Sequence, residues 1–228
     1  MFNALGDRPG VATWVFVVFV GVLMPVIVIR QHYAMKDGRM AAPSRAALYG
    51  SAFTTHAILL LGIAATVWLD DVWLFPPFGL DRGRVLLALA ALAIGLLLLM
   101  ERFRVANPLA RERMRLVAPA TRGEYLAFCG IAVSAGIAEQ LAYRGVLFSF
   151  LLWYTGSHIA AALLAAVPFG LVHLFQGWRT AAIVGVIAVR DQILVVLTGT
   201  LVYAIAIHII HDIIAGTVLM RRARREDI

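Results

Sequence analysis

Residues 85–100 have the sequence VLLALAALAIGLLLLM, which contains no charged or polar side chain. Residues 11–29, VATWVFVVFVGVLMPVIVI, form a second run that is nearly as apolar. A helix needs about 20 mostly apolar residues to cross the hydrocarbon core of a bilayer. Both runs therefore predict transmembrane helices.

The composition of the whole chain agrees with this prediction. Of 228 residues, 62% are hydrophobic and 14% are charged, and the mean hydropathy is +0.87. Soluble domains contain about 25% charged residues, so this chain has too few polar side chains to cover a water-exposed surface. The predicted fold class is all-α, a polytopic transmembrane bundle of about seven spans.

The apolar runs set the predicted spans and a division of the chain into three parts. The spans are 11–29, 46–69, 85–100, 125–154, 158–175, 180–197 and 200–220. The predicted parts are an N-terminal region of three spans and a basic loop (1–123), a four-helix region (124–220) and a basic tail (221–228). Within the loop 101–124, arginines alternate with apolar residues, which predicts a helix on the membrane surface, interrupted by Pro108 and Pro119.

The basic residues predict the orientation in the membrane. The net charge is +7. Fifteen of the 20 lysines and arginines lie in alternate loops, and the opposite loops hold only Arg8, Arg82 and Arg84. Because basic loops stay cytoplasmic, we expect the N-terminus outside and the C-terminus in the cytoplasm. The arginines lie between apolar runs and form no basic face, which argues against nucleic acid as a partner.

Ionisable residues inside the spans point to the site of function. Such residues are costly in a membrane and usually face a cavity or one another. The first and third spans contain none, and the second contains only His56. The last four spans hold the others: Glu139, Arg144, His173, Arg190, Asp191, His208, His211 and Asp212.

The spacing of these residues indicates shared helix faces. His208 and Asp212 are four residues apart and lie on one face, as do Phe169 and His173. Alone, a membrane histidine is commonly a hydrogen-bond partner between helices. Together, a glutamate, two histidines and an aspartate from three helices predict a cluster that holds zinc with an open position or activates a water directly.

Three segments, read in order, resemble a known family. They are AEQLAYRG (138–145), FGLVH (169–173) and HIIHD (208–212). They are similar to the motifs E-E-x-x-x-R, F-x-x-x-H and H-x-x-x-N or H-x-x-x-D of the CPBP intramembrane proteases. That group, also called Abi or CAAX proteases, includes the Rce1-type prenyl-protein endopeptidases. The resemblance covers 124–220, and the first three spans match nothing specific.

The resemblance implies a role for each matching residue. Glu139 would activate the attacking water, alone or through a metal. His173, His208 and Asp212 would complete the cluster and stabilise the oxyanion, and Arg144 would support the site electrostatically. If zinc is bound, its ligands would be Glu139, His173 and His208. A glutamate-activated water without metal stays equally open.

Two features depart from the family pattern. Gln140 replaces the second glutamate; because glutamine keeps the shape and hydrogen-bonding capacity, we expect Glu139 to suffice. The triplet Arg190, Asp191 and Gln192 lies in a span that is usually apolar. Adjacent residues point to different faces, so we expect no simple salt bridge within the helix. The prediction is a pairing between helices, Asp191 with Arg144, and the alternative is substrate binding in a wet cavity.

The sequence therefore predicts an intramembrane endopeptidase, of metallo- or glutamate type, for a membrane-associated protein or peptide. CAAX-type processing and a related maturation step both fit. The first alternative is a catalytically silent member that acts in immunity or scaffolding, which Gln140 favours. The second is a transporter or proton path, but no internal repeat supports it. The resemblance implies the cell membrane of a bacterium and the lipid bilayer as surroundings.

Overall fold

The computed structural model describes residue 4 and residues 8–74, 79–105 and 108–224. Over these residues the chain forms eight helices and no β-strand. They are α1 Val11–Lys36, α2 Arg45–Leu69, α3 Arg82–Val105, α4 Pro108–Val117, α5 Arg122–Thr155, α6 His158–Val172, α7 Trp178–Thr198 and α8 Val202–Arg224. This architecture confirms the all-α fold. The predicted tail 221–228 lies outside the described residues from position 225 onward.

The number of membrane-spanning helices differs slightly from the prediction. Six helices are long and apolar enough to cross a membrane, namely α1, α2, α3, α5, α7 and α8. The predicted span 158–175 is instead α6, an α-helix of 15 residues, which is about 22 Å long and too short to cross alone. It ends because His173 leaves the helical conformation and a 3₁₀ turn, Leu174–Gln176, follows.

Local signals in the sequence set the ends of the helices around the site. Thr121 and Glu124 form a capping box that starts α5, which satisfies two backbone N–H groups at the helix end. Gly156, at φ +65°, ends α5, and Ser157 caps α6 by accepting from the Ala160 N–H. Pro108 opens α4, and α4 ends two residues before Pro119, so the predicted helix within 101–124 lies between these prolines.

Helix α5 is the longest helix and carries a π-helical stretch. In residues Gln140–Leu147 the helix is π-helical, and all eight residues are buried. This stretch follows Glu139 directly. π-Helical insertions occur frequently at functional sites, and this one lies on the first of the three motifs.

The helices around α5 approach one another closely. Helix α5 packs against α2 and α8, α6 packs against α7, and α7 packs against α3. A Cβ at Gly170 in α6 would lie 2.9 Å from the Ala181 carbonyl oxygen in α7. Small residues allow such close backbone approach in membrane bundles. The outward faces carry apolar side chains such as Leu61, Leu97 and Ile159, as expected next to lipid.

Candidate active site

A cavity of about 250 Å³ lies among α2, α5, α6, α7 and α8, and ionisable residues line it. The lining includes His56, Glu139, His173, Arg190, Asp191, His208, His211 and Asp212. Four of the five predicted site residues therefore meet in one cavity. The fifth, Arg144, is buried beside it with 2% of its surface exposed.

Glu139 lies between two imidazoles from different helices. Its Oε1 is 3.6 Å from Nε2 of His56, and its Oε2 is 3.7 Å from Nε2 of His208. These separations suit charge attraction but are too long for direct hydrogen bonds. Oε2 is buried and has no hydrogen-bond partner. The carboxylate therefore keeps an acceptor that the surrounding side chains leave unsatisfied.

The hydrogen bonds of Ser134 determine which nitrogen of a neutral His56 carries the proton. Ser134 donates its hydroxyl to the Ile131 carbonyl oxygen, and its Oγ lies 2.8 Å from Nδ1 of His56. The hydroxyl proton is thus committed, so Oγ accepts from Nδ1–H. A neutral His56 then presents the lone pair of Nε2 to Glu139, and protonation of Nε2 would make the contact a charge attraction.

His208 has two carboxylates, those of Asp212 and Glu139, near the same ring nitrogen. Its Nε2 lies 3.3 Å from Oδ2 of Asp212, one helical turn away. This contact confirms the predicted shared face of α8. The other oxygen of Asp212 is 3.2 Å from Nδ1 of His211. Asp212 therefore contacts two histidines, and the neighbouring His211 is a partner of the cluster that the motif comparison did not include.

His173 lies at the C-terminal end of α6 and is oriented by its own helix. Its Nδ1 lies 2.8 Å from the Phe169 carbonyl oxygen. Because a carbonyl only accepts, Nδ1 carries the proton and the neutral ring offers Nε2 as an acceptor. The rings of Phe169 and His173 are 4.8 Å apart between centroids, as their four-residue spacing predicts.

The turn after His173 is held from outside the motif region. Arg113 in α4 donates from Nη1 to the Phe175 carbonyl oxygen at 2.8 Å. Nδ1 of His32 in α1 lies 3.0 Å from the Leu174 carbonyl oxygen. Burial lowers the pKa of the Arg113 guanidinium, which nevertheless stays charged because arginine titrates far above neutral pH. These contacts fix the turn that places His173.

Arg144 makes the predicted pairing between helices. Its Nη2 lies 3.5 Å from Oδ2 of Asp191 in α7, and its guanidinium carbon lies 3.9 Å from the centre of the Phe169 ring. The expectation that Arg190 and Asp191 form no salt bridge within the helix was wrong. The side chain of Arg190 is long enough to fold back toward the next residue, and its Nε donates to Oδ1 of Asp191 at 2.9 Å.

Gln140 occupies the position of the second family glutamate. Its Nε2 lies 2.9 Å from Oδ2 of Asp191 and 2.9 Å from Nδ1 of His208. Gln140 and Arg144 thus reach the same carboxylate, in agreement with their four-residue spacing.

The three predicted zinc ligands, Glu139, His173 and His208, line the same cavity. Among the residues that the structure describes, no group of three or more histidine, cysteine, aspartate or glutamate side chains is positioned to hold a metal ion. Nε2 of His208 faces Asp212 and Glu139, and Oε1 of Glu139 lies 3.6 Å from Nε2 of His56.

His56 is a residue of the cavity to which the sequence analysis assigned no role. It is the single ionisable residue of its span, and it lies near the middle of α2, as Glu139 lies near the middle of α5. Equal depth in the membrane was the available signal. The sequence could not indicate which face of α2 turns toward α5.

Comparison with known proteins agrees with this geometry. Residues 121–214 match a family model described as type II CAAX prenyl endopeptidase Rce1-like. No curated protein and no solved structure matches the chain. The matched range includes Glu139, His173, His208 and Asp212, and it excludes His56. Residues 121–214 are therefore similar to the Rce1-like domain of the type II CAAX prenyl endopeptidases.

Proposed function

We propose that this integral membrane protein is an intramembrane endopeptidase that hydrolyses a peptide bond of a membrane-associated protein or peptide. The family match supports a CAAX-type protease role. The observation that carries the proposal is the position of Glu139, whose Oε2 is buried without a hydrogen-bond partner in a cavity shared with His173, His208 and Asp212. A carboxylate with an unsatisfied acceptor beside imidazoles is suited to take a proton from water.

In the proposed reaction, Glu139 is the general base. A water molecule gives one proton to the carboxylate while its oxygen bonds to the carbonyl carbon of the scissile peptide. The carbonyl electron pair moves to oxygen and a tetrahedral intermediate forms. Glu139 then delivers the same proton to the leaving nitrogen as the C–N bond breaks, which yields a carboxylic acid and an amine and restores the carboxylate.

The surrounding residues stabilise the charge that develops. His173 and His208 line the cavity beside Glu139, where an imidazole N–H or imidazolium stabilises the oxyanion. Asp212 contacts Nε2 of His208 and orients that ring. Arg144 places a positive charge beside these residues, and Asp191 carries the balancing negative charge.

The arrangement favours a glutamate-activated water over a zinc-bound water, because no group of the described side chains is positioned to hold a metal ion. We further propose that the protein lies in the cell membrane of a bacterium with its C-terminus in the cytoplasm, where the basic loops are expected.

The decisive experiment replaces the base without changing its shape. We expect Glu139→Gln to lower kcat by about 10²–10⁴-fold, the usual contribution of a general base. Cleavage of a fluorogenic peptide with a prenylated C-terminal tail, by purified protein in detergent, provides the measurement. The same peptide without the prenyl group tests CAAX-type recognition. Retained cleavage by Glu139→Gln would contradict the assignment of the base.

Controls separate the proposed chemistry from its alternatives. Gel filtration and thermal unfolding of Glu139→Gln should match the native protein. Activity that survives chelator treatment supports the metal-free route; loss on chelation with recovery on adding zinc would favour the zinc prediction. A native protein that cleaves none of the peptides, with Glu139→Gln indistinguishable from it, would instead favour the catalytically silent alternative.

A further inference from the structure

The buried amide of Gln140 connects the active-site cavity with Asp191. Gln140, Asp191 and Arg144 have relative exposures of 0%, 1% and 2%. The single amide nitrogen of Gln140 lies 2.9 Å from Oδ2 of Asp191 and 2.9 Å from Nδ1 of His208. An NH₂ group has two protons, which is enough to donate to both partners.

The charge of Asp191 determines the orientation of this amide. Arg190 donates to Oδ1 of Asp191 through Nε and Nη2, and Arg144 lies beside Oδ2. Both oxygens of Asp191 thus face guanidinium groups, and a carboxylate in such an ion pair only accepts hydrogen bonds. The Gln140 carbonyl oxygen would be repelled there, so the NH₂ group must face Asp191.

The fixed amide then decides the tautomer of His208. Because the second amide proton points at Nδ1, Nδ1 accepts and the ring proton resides on Nε2. Nε2–H faces the carboxylates of Asp212 at 3.3 Å and Glu139 at 3.7 Å. The opposite tautomer would direct a lone pair at two carboxylates.

A glutamate at position 140 does not fit these surroundings. It would bring a second carboxylate to hydrogen-bond distance of Asp191, and it would draw the ring proton of His208 onto Nδ1. Asp191 already supplies the buried negative charge that neutralises Arg144, the role that a glutamate at 140 would have.

We propose that Asp191 is a positioning residue that takes over the charge of the second family glutamate and, through Gln140, holds His208 in its Nε2–H tautomer. This inference rests on the proposed function. Asp191 also reaches the other histidine, because Arg144 stacks on Phe169 and Phe169 contacts His173. The Asp191 carboxylate of α7 thus supports both histidines. Gln140 is its hydrogen-bond partner, and the change from glutamate does not by itself disable the motif.

Three variants of the full-length protein in detergent test the proposal. We expect Asp191→Asn and Gln140→Glu each to lower kcat by about 10–100-fold, the usual cost of removing a group that orients a site ligand, with KM changed less than kcat. The double variant Gln140→Glu/Asp191→Asn keeps one carboxylate beside Arg144. Its kcat should therefore lie about tenfold above that of Gln140→Glu alone, which is a non-additive result expected only for directly coupled residues. Asp70→Asn is the matched control, since Asp70 accepts from the Thr13 N–H outside the cavity.

A spectroscopic measurement makes the result independent of turnover. In ¹⁵N-histidine-labelled protein, with the signals of His208 assigned by their loss in His208→Ala, we expect a protonated Nε2 and an unprotonated Nδ1. Gln140→Glu should move protonation to Nδ1. Protonated Nδ1 in the native protein, or a kcat of Gln140→Glu above the native value, would overturn the proposal. If instead neither the native protein nor Glu139→Gln cleaves any peptide, the proposed function fails, while the ¹⁵N signals still decide the tautomer.

Discussion

Helices α3 and α7 lie side by side in the bundle but differ in the residues at their centres. Helix α3 has sixteen consecutive apolar residues, 85–100, whereas α7 carries Arg190, Asp191 and Gln192 in its middle. Within the most apolar 18-residue stretch of each helix, the share that is buried inside the protein is 22% in α3 and 56% in α7. Charged residues thus occur in the helix that other helices surround, because lipid cannot solvate them.

The two helices also meet through complementary groups. Arg190 in α7 donates from Nη1 to the Ala91 carbonyl oxygen in α3 at 2.9 Å. Gly95, one turn further along α3, leaves the space for this guanidinium, since a Cβ there would overlap Nη1. The apolar helix therefore contributes backbone and empty space, and the polar helix contributes the charge.

The largest expected change in stability comes from filling the space at Gly95. Gly95→Ala forces Arg190 to move away from Ala91 and strains its pairing with Asp191. We expect a loss of about 1–3 kcal/mol in the free energy of unfolding, the usual cost of overpacking. The measurement is thermal or denaturant unfolding in detergent. The matched control is Gly50→Ala in α2, where a Cβ meets nothing within 4 Å. Equal stability of the two variants would show that the contact of Arg190 with α3 contributes nothing.

A smaller effect is expected in α2, which carries the buried ionisable residue His56. His56→Phe keeps a ring but removes the nitrogen that faces Glu139. We expect kcat to fall about tenfold, at the lower end of what a supporting residue contributes, and His56→Gln to retain more activity because it keeps a polar group. The readout is cleavage of the fluorogenic peptide.

The control for His56 is another membrane histidine. His158→Phe changes a residue whose ring lies against Phe148, away from the cavity, and its kcat should equal that of the native protein. If both phenylalanine variants have native kcat, His56 has no part in the reaction.

The smallest effect is expected on the outward face of α3. Leu97 is 66% exposed, and lipid tails are as apolar as its side chain. Leu97→Ala should therefore change the free energy of unfolding by less than about 0.5 kcal/mol. A loss above 1 kcal/mol in the same unfolding assay would indicate that this face packs against protein.

Much of the site was predictable because motif residues on one helix have fixed spacing. His208 and Asp212 meet as one helical turn requires, and Phe169 lies against His173 for the same reason. The pairing of Arg144 with Asp191 followed from the cost of leaving charges alone in a membrane. The length of α6 was not predictable from hydropathy, because Leu174 and Phe175 continue the apolar run while the backbone turns at His173.

Sequence alone determined that this chain is a helical membrane protein, where most of its helices lie and which residues form the three motifs, because hydropathy and spacing along one helix are local properties. Only the tertiary structure decided that His56 faces Glu139 and that Gln140 joins Asp191 to His208. Those contacts depend on the rotation and depth of whole helices. An apolar surface packs equally well against lipid or protein. The pattern of apolar residues therefore does not indicate the rotation or the depth of a helix.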